Sequence, residues 1–282
     1  MTPGHRIGEA DRFRSGSWLE RTVDRWRRGR VTAAPPILRR AYEGLLDRLP
    51  GDHLVSQMPG GERVRLSARY RHLSWNPVEY TAFRAVVRPG ATVLDVGANV
   101  GAYTLMFAAW VGDEGRVFAF EPAPEALAGL RTHVALNGFS SRVDIVEAAV
   151  SSSAGRAPFA VHRSGGASSL SVNAVDHPLM LSVPTETIDG FCAARGIQPE
   201  VIKIDVEGAE LDVLIGARRT LARAGVEAFV EMHPSVWAVS GVTRAAIEGE
   251  LHAQGFVAEP LDPAFDVWTT EGVCVRLRPA DK

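Results

Sequence analysis

From about residue 89 to the C-terminus, short apolar runs alternate with longer stretches whose apolar residues recur every three or four positions. That alternation of periods is the mark of βαβ units and a parallel sheet. The runs Thr92–Val96, Val117–Phe120, Val143–Val150, Val201–Ile204 and Ala228–Glu231 predict five strands. They are near-continuously apolar, as strands covered on both faces are. The intervening periodicity predicts helices over Val100–Trp110, Pro124–Leu136, Ile188–Arg195, Ala209–Ala224 and Thr243–Gln254. Pro124 in a first turn and Asn137-Gly138 as a stop are favoured positions for those residue types. Two late runs, Phe256–Ala258 and Val273–Leu277, are joined by a non-helical stretch, which predicts an antiparallel edge. Upstream, Val64-Arg65-Leu66 alternates like a strand, and Asn76-Pro77 leads into a helix over Val78–Val87. Residues 1–50 read as helices broken at Ala34-Pro35-Pro36. No internal repeat is present. The expectation is a basic helical N-terminal extension over 1–60 and one α/β, Rossmann-like domain over 61–282.

Composition narrows the partners. The 282 residues are 46% hydrophobic and 23% charged, enough for one large core. A net charge of -2 gives no global field for nucleic acid. Charge is uneven, however: residues 1–50 hold eleven arginines against six carboxylates, and the remainder is negative. The first reading of that arm is a solvated helical face, and the alternative is a membrane-surface or partner-docking element. The two cysteines, Cys192 and Cys274, can build neither a disulfide framework nor a zinc cluster. The start, Met1-Thr-Pro-Gly-His-Arg, lacks the apolar core of a signal peptide, and no run reaches the ~18 apolar residues of a membrane span. A cytoplasmic protein is expected, with homo-oligomerisation left open.

Chemistry enters at the first strand, which ends in Asp95-Val96-Gly97-Ala98-Asn99-Val100-Gly101 and runs straight into a helix. Glycines at such a turn let a ligand approach the backbone, and a helix N-terminus offers free N–H groups. The second strand ends in Phe120-Glu121-Pro122, with Glu121 twenty positions beyond Gly101. A carboxylate there can accept both hydroxyls of a ribose. Nicotinamide and S-adenosylmethionine sites share these features, but two details separate them. The turn is not G-x-G-x-x-G, since Asn99 stands between its glycines. Asp95 at the strand mouth would repel a pyrophosphate and attract an ammonium.

Together with later segments, the chain resembles the FkbM family of methyltransferases, a branch of the class I fold. The residues that carry the resemblance are Val93–Gly101, Phe120-Glu121-Pro122, Thr187-Ile188-Asp189, the block Ile202-Lys203-Ile204-Asp205-Val206-Glu207-Gly208-Ala209-Glu210, and Glu231-Met232-His233. The resemblance covers about residues 79–235. It implies a seven-stranded, mostly parallel sheet with an antiparallel last strand and helices on both faces. It also implies S-adenosylmethionine as methyl donor and O-methylation of a small-molecule hydroxyl, on a sugar or a secondary metabolite. On that analogy Glu121 holds the ribose, Gly97, Ala98, Asn99 and Gly101 lie under the donor, Asp95 and Asp205 help hold its methionine part, and Ala148 flanks the adenine.

Strands four and five end in Asp205, Glu207 and Glu210, and in Glu231 and His233, where ligands of such sheets bind. Two ways of removing a hydroxyl proton fit. His233 can act as base, oriented by Glu231 or Asp205, with Glu207 in the same catalytic group. Alternatively, Asp205 and Glu231 hold Mg²⁺, which lowers the hydroxyl pKa. Glu210 reads as a solvated helix residue or an intrahelical partner, and Lys203 as a structural pair inside an apolar strand. The small-residue loop Arg163–Ser171, with Ser168 and Ser169, is a flexible connection or a cover over the site. Trp75, Tyr80 and Trp237 are core residues or walls of an acceptor pocket. The alternatives are methylation of nucleic acid or protein on the same fold, and a non-catalytic S-adenosylmethionine-binding scaffold. The polar strand ends argue against the scaffold.

Overall fold

The computed structural model describes residues 53–161 and 179–280. The basic arm before residue 53 and the loop Arg163–Ser171 lie outside the described residues. The compact unit begins at His53. Residue 60, where the sequence places the end of the extension, lies in the turn of that unit's first hairpin, formed by β1 (His53–Gln57) and β2 (Arg63–Ser67). Helix α1 (Pro77–Val86) follows, capped by Asn76, whose side chain accepts from the Val78 N–H.

The main sheet starts with β3 (Thr92–Val96), followed by α2 (Ala102–Val111), β4 (Arg116–Phe120), α3 (Pro124–Leu136) and β5 (Val143–Val146). Next come β6 (Ala149–Val150), β7 (Gly155–Val161), β8 (Leu179–Glu186) and α4 (Ile188–Arg195). The remaining elements are β9 (Val201–Ile204), α5 (Glu210–Ile215), α6 (Arg218–Leu221), β10 (Glu227–Met232), α7 (Pro234–Ser240), α8 (Arg244–Ala253), β11 (Phe256–Pro260) and β12 (Val273–Pro279). The sheet order is β11-β12-β10-β9-β3-β4-β5, with β12 antiparallel to both neighbours. The last strand is thus inserted between β10 and β11, and the two late strands pair antiparallel at the edge of a mostly parallel sheet, as their non-helical connection predicts.

Two apolar layers cover the two faces. Phe83, Leu105, Phe107, Leu130 and Phe229 pack on one. Val96, Phe120, Phe191, Ile204, Leu214 and Leu251 pack on the other. Alternation along each strand assigns side chains to these layers. Asp95, Lys203 and Glu231 consequently share the face of Val93, Val201 and Phe229 at the C-terminal end of the sheet, a polar inclusion in an apolar layer.

Two predicted elements are divided. The run Val143–Val150 leaves the main sheet after Val146, and Ala149–Val150 pairs instead with β8 in a small sheet of order β6-β8-β7. The long helix expected over Ala209–Ala224 breaks at Gly216. A Cβ on Gly216 would lie 2.2 Å from the Ser151 carbonyl oxygen, so the chain passes too closely there for any other residue.

Candidate active site

The turn after β3 is held by backbone bonds to the neighbouring strands. Gly97 and Ala98 donate to the Phe120 carbonyl at 3.1 and 2.9 Å, and the Asp205 N–H donates to Val96 at 3.0 Å. Gly97 has φ +79°, and a Cβ on it would fall 1.7 Å from the Asp205 carbonyl oxygen. Asn99 is also left-handed, at φ 50°. Gly101 caps α2 without a side-chain bond, which leaves first-turn N–H groups for a ligand or water. The buried His133 on α3 braces the turn by donating Nδ1–H to the Val100 carbonyl at 2.6 Å.

Glu121 closes this half of the site. Its carboxylate accepts the Asn99 N–H at 2.8 Å through Oε2 and the Ala123 N–H at 2.7 Å through Oε1. Burial pushes its pKa up to about 7, against the lowering by those two backbone bonds. Ala148 is buried at the kink after β5, where its N–H donates to the Val146 carbonyl. Asp95 is placed differently from the expectation of an open strand mouth. It is 0% exposed, and its Oδ2 accepts from Thr104 at 2.5 Å. Its Oδ1 faces the Lys203 ammonium at 3.8 Å. Burial raises its pKa against the lowering by Lys203 and Thr104, and Oδ1 has no hydrogen-bond partner among the described residues.

Lys203, the register partner of Asp95 across β3 and β9, bears out the reading of a structural pair. Its Nζ donates to Asp205 Oδ2 at 3.1 Å and lies 4.7 Å from the centre of the Tyr103 ring. Burial disfavours its charge, but Asp205, Asp95 and Glu231 outweigh that and raise its pKa. Beside it, Tyr103 donates to Glu79 of α1, which also accepts from Asn76 at 3.0 Å. Desolvation raises the Glu79 pKa.

The ends of β9 and β10 bring the predicted polar residues together around His233. This imidazole is 3% exposed. Its Nδ1 donates to Glu210 Oε1 at 2.7 Å. Its Nε2 stands 3.4 Å from Glu207, 3.6 Å from Glu231 and 3.9 Å from Asp205. Burial works against a charge on His233, but its contacts with Glu210 and Glu231 and the surrounding carboxylates outweigh it and push its pKa up to about 11. Glu207, at φ 51°, has its pKa pushed up to about 7 by burial, partly offset by His233. Asp205, Glu231 and His233 each present one ligating atom, all within 4.8 Å of one another.

Glu210 corrects the sequence reading. It is fully buried and accepts from Gly208 N–H at 2.8 Å and from Trp237 Nε1 at 2.7 Å as well as from His233. It positions His233 rather than facing solvent. Its three-residue spacing from Glu207 was the one signal for it, and periodicity alone reads that spacing as an exposed helical face. Trp237 is a wall of this support. Trp75 donates Nε1–H to the Ala102 carbonyl at 2.8 Å, and Tyr80 packs edge-on against Trp110. All three aromatics are buried. Trp75 also borders a hollow of about 630 Å³ that includes Met58, Gly60, Leu73 and Pro77, near the start of α2.

The sequence is similar to those of known methyltransferases. Residues 95–258 match the model of the methyltransferase FkbM domain. Over 154 residues the chain is 30% identical to the 2-O-methyltransferase NoeI of Sinorhizobium fredii (strain NBRC 101917 / NGR234), a match over 48% of this chain and only 61% of NoeI. It is 32% identical over 199 residues to the 31-O-demethyl-FK506 methyltransferase FkbM of Streptomyces tacrolimicus, covering 60% of this chain and 74% of that protein. It is also 32% identical over 157 residues to the ribosomal RNA large subunit methyltransferase E of Alkalilimnicola ehrlichii (strain ATCC BAA-1101 / DSM 17681 / MLHE-1), covering 55% of this chain and 69% of that protein. The family match takes in more than half of the chain, from the mouth of β3 to the edge strand β11, and the chain belongs to the FkbM methyltransferase family.

Proposed function

We propose that the chain is an S-adenosylmethionine-dependent O-methyltransferase acting on a hydroxyl of a small molecule, such as a sugar or a secondary metabolite. The observation that carries this reading is the position of Glu121. Its carboxylate is tied to the Asn99 and Ala123 N–H groups, so it stands fixed beside the glycine turn at the strand ends. An anchored carboxylate there accepts ribose hydroxyls, while the backbone of Gly97, Ala98 and Gly101 leaves room for the donor. Ala148 supports the adenine side. The bound donor supplies a methyl group on a sulfonium, and the chain's own task is to align an acceptor oxygen and dispose of its proton.

Glu207 takes that proton in this reading. Its side chain is 32% exposed, whereas that of His233 is 3% exposed and cannot reach an acceptor as readily. Asp205, Glu231 and His233 hold the acceptor end. A small acceptor is favoured over RNA by a net charge of -2, which gives no global field for a polyanion. The negative balance of the chain beyond residue 50 points the same way. The names of the two O-methylating relatives support the acceptor atom.

Isothermal titration with S-adenosylhomocysteine, with NAD as control, tests the donor assignment. Micromolar binding of the homocysteine nucleoside alone is expected. Absence of binding at millimolar ligand, or preference for NAD, overturns the reading.

A further inference from the structure

We propose that Asp205, Glu231 and His233 form a binding site for one divalent transition-metal ion, such as Mn²⁺ or Fe²⁺, in which His233 is a nitrogen ligand. This deepens the reading of the cleft as the acceptor half of a methyl-transfer site and rests on it. It also replaces the Mg²⁺ expected at Asp205 and Glu231. An imidazole donor beside carboxylates suits first-row transition metals, whereas Mg²⁺ is usually bound by oxygens and water.

The spacing is the first argument. Ligand atoms about 2.0–2.2 Å from a metal lie about 3.0–3.5 Å from each other when adjacent. His233 Nε2 lies 3.6 Å from Glu231 Oε1 and 3.9 Å from Asp205 Oδ1. Those distances are too long for ordinary hydrogen bonds and a few tenths of an ångström wider than a filled site. The three atoms are arranged around a point rather than closed on one another, and all lie within 4.8 Å.

The support behind each ligand is the second, independent argument. A metal-binding histidine needs its other nitrogen engaged, because that bond fixes which nitrogen faces the ion. Here Nδ1 is committed to Glu210, a fully buried carboxylate that two further donors, Gly208 N–H and Trp237 Nε1, hold in place. Asp205 is divided in the same way: Lys203 engages Oδ2 at 3.1 Å, and Oδ1 is turned toward His233. His233 itself is more than nine-tenths buried, and its Nε2 is aimed into the cluster.

Charge is the third. Asp205, Glu207, Glu231 and Glu210 converge on one imidazole, and Lys203 already serves Asp95 as well as Asp205. A dication at the centre would answer this surplus. Asp205 and Glu231 are about one-fifth exposed, so the ion would keep an open position toward an acceptor. An acceptor hydroxyl bound there would lose its proton more easily, and Glu207, outside the triad, is placed to receive it.

The test uses the full chain, stripped of metal by dialysis against a chelator and titrated with Co²⁺. The visible absorption of Co²⁺ reports its ligands, and Mn²⁺ binding is followed by electron paramagnetic resonance. One ion per chain is expected, with an absorption band that changes in His233→Gln and with affinity at least tenfold weaker in Glu231→Gln. Glu210→Gln should weaken binding by about 10–100-fold. A hundredfold excess of Mg²⁺ should leave the Co²⁺ band in place. No Co²⁺ or Mn²⁺ binding by the unaltered chain overturns the proposal whether or not any variant folds. Displacement by Mg²⁺, or a band indifferent to His233→Gln in a folded variant, overturns the nitrogen ligand. Titration of the same metal-free sample with S-adenosylhomocysteine keeps the two readings separate: donor binding without metal binding defeats only the metal site.

Discussion

With Glu121 on the donor ribose, as proposed, donor affinity should depend on pH in a direction and size that follow from its surroundings. Burial at the end of β4 pushes its pKa up to about 7, although Asn99 and Ala123 donate to it. Ribose hydroxyls donate to the ionised carboxylate, so affinity follows the ionised fraction. With a pKa near 7 that fraction is about one in eleven at pH 6 and about ten in eleven at pH 8. Affinity for S-adenosylhomocysteine should accordingly rise about tenfold, or about 1.4 kcal/mol, between those values and level off above them. Stability runs the other way. The folded chain holds a proton that the unfolded chain releases above about pH 4.5. The Glu121 contribution is therefore favourable below that pH and lost as pH rises toward 7, a change of about 3 kcal/mol. Isothermal titration across pH 6–8, on the unaltered chain and on Glu121→Gln, measures the first effect. The variant should show weak binding without the rise. A flat profile in the unaltered chain, or an unchanged rise in the variant, would refute the assignment of Glu121 to the ribose.

Other consequences can be read by denaturation. Gly97→Ala places a Cβ where the Asp205 carbonyl stands and imposes a side chain at φ +79°. A loss of about 1–3 kcal/mol from backbone strain, plus the cost of moving Asp205, should lower Tm together with donor affinity, and an unchanged Tm would show that the turn relaxes freely. Glu210→Ala strands the donors of His233, Trp237 and Gly208 at about 1–3 kcal/mol for each one left unsatisfied, and urea unfolding should show that loss. Stability within 1 kcal/mol of the unaltered chain would contradict its supporting role. Lys203→Met leaves the buried Asp95 without its cation and should cost about 3–5 kcal/mol. Adding Asp95→Asn should recover much of that loss, and strict additivity in the double-mutant cycle would mean the pair is not coupled.

The fold was legible wherever a strand or helix carries its own punctuation. Pro124–Leu136 has Pro124 at its start and Asn137-Gly138 at its end, and it occurs with those bounds. Thr92–Val96 and Val201–Ile204 are apolar enough to be read as buried strands, and they too occur as expected. The small sheet was not legible. Strands β7 and β8 carry Pro158 and Pro184, which interrupt a strand pattern, and their pairing joins segments that are distant along the chain. In the candidate site, the glycine turn and Glu121 were legible as candidates because each stands at the end of a strand that the apolar pattern marks, although Asn99 and Glu121 are 22 residues apart. The role of Glu210 was not legible, because it opens α5, where periodicity reads a charged residue as a solvated helical face, and only the meeting of β9 with β10 brings His233 and Trp237 to it. No local pattern reveals that Asp95 is buried or that Lys203 stands beside it.

On the proposed function, the same contacts would couple the donor and acceptor halves. Gly97, in the donor turn, lies directly against the carbonyl of Asp205, the first residue of the acceptor cluster. The Asp205 N–H continues the ladder to Val96, and its side chain reaches Lys203, which answers Asp95 beneath the donor turn. A parallel sheet makes this coupling natural, because adjacent strands ending at one level deliver their loops to the same place. A rigid join matters for methyl transfer, since the reaction needs three atoms in line and a misplacement of about 1 Å can cost about 100-fold in rate. The buried charges Asp95 and Lys203, costly as stabilising elements, are better understood as what holds Asp205 at a fixed distance from the glycine turn. On this view Lys203→Met combined with Asp95→Asn can restore stability without restoring alignment, because the double variant no longer fixes the Asp205 carboxylate.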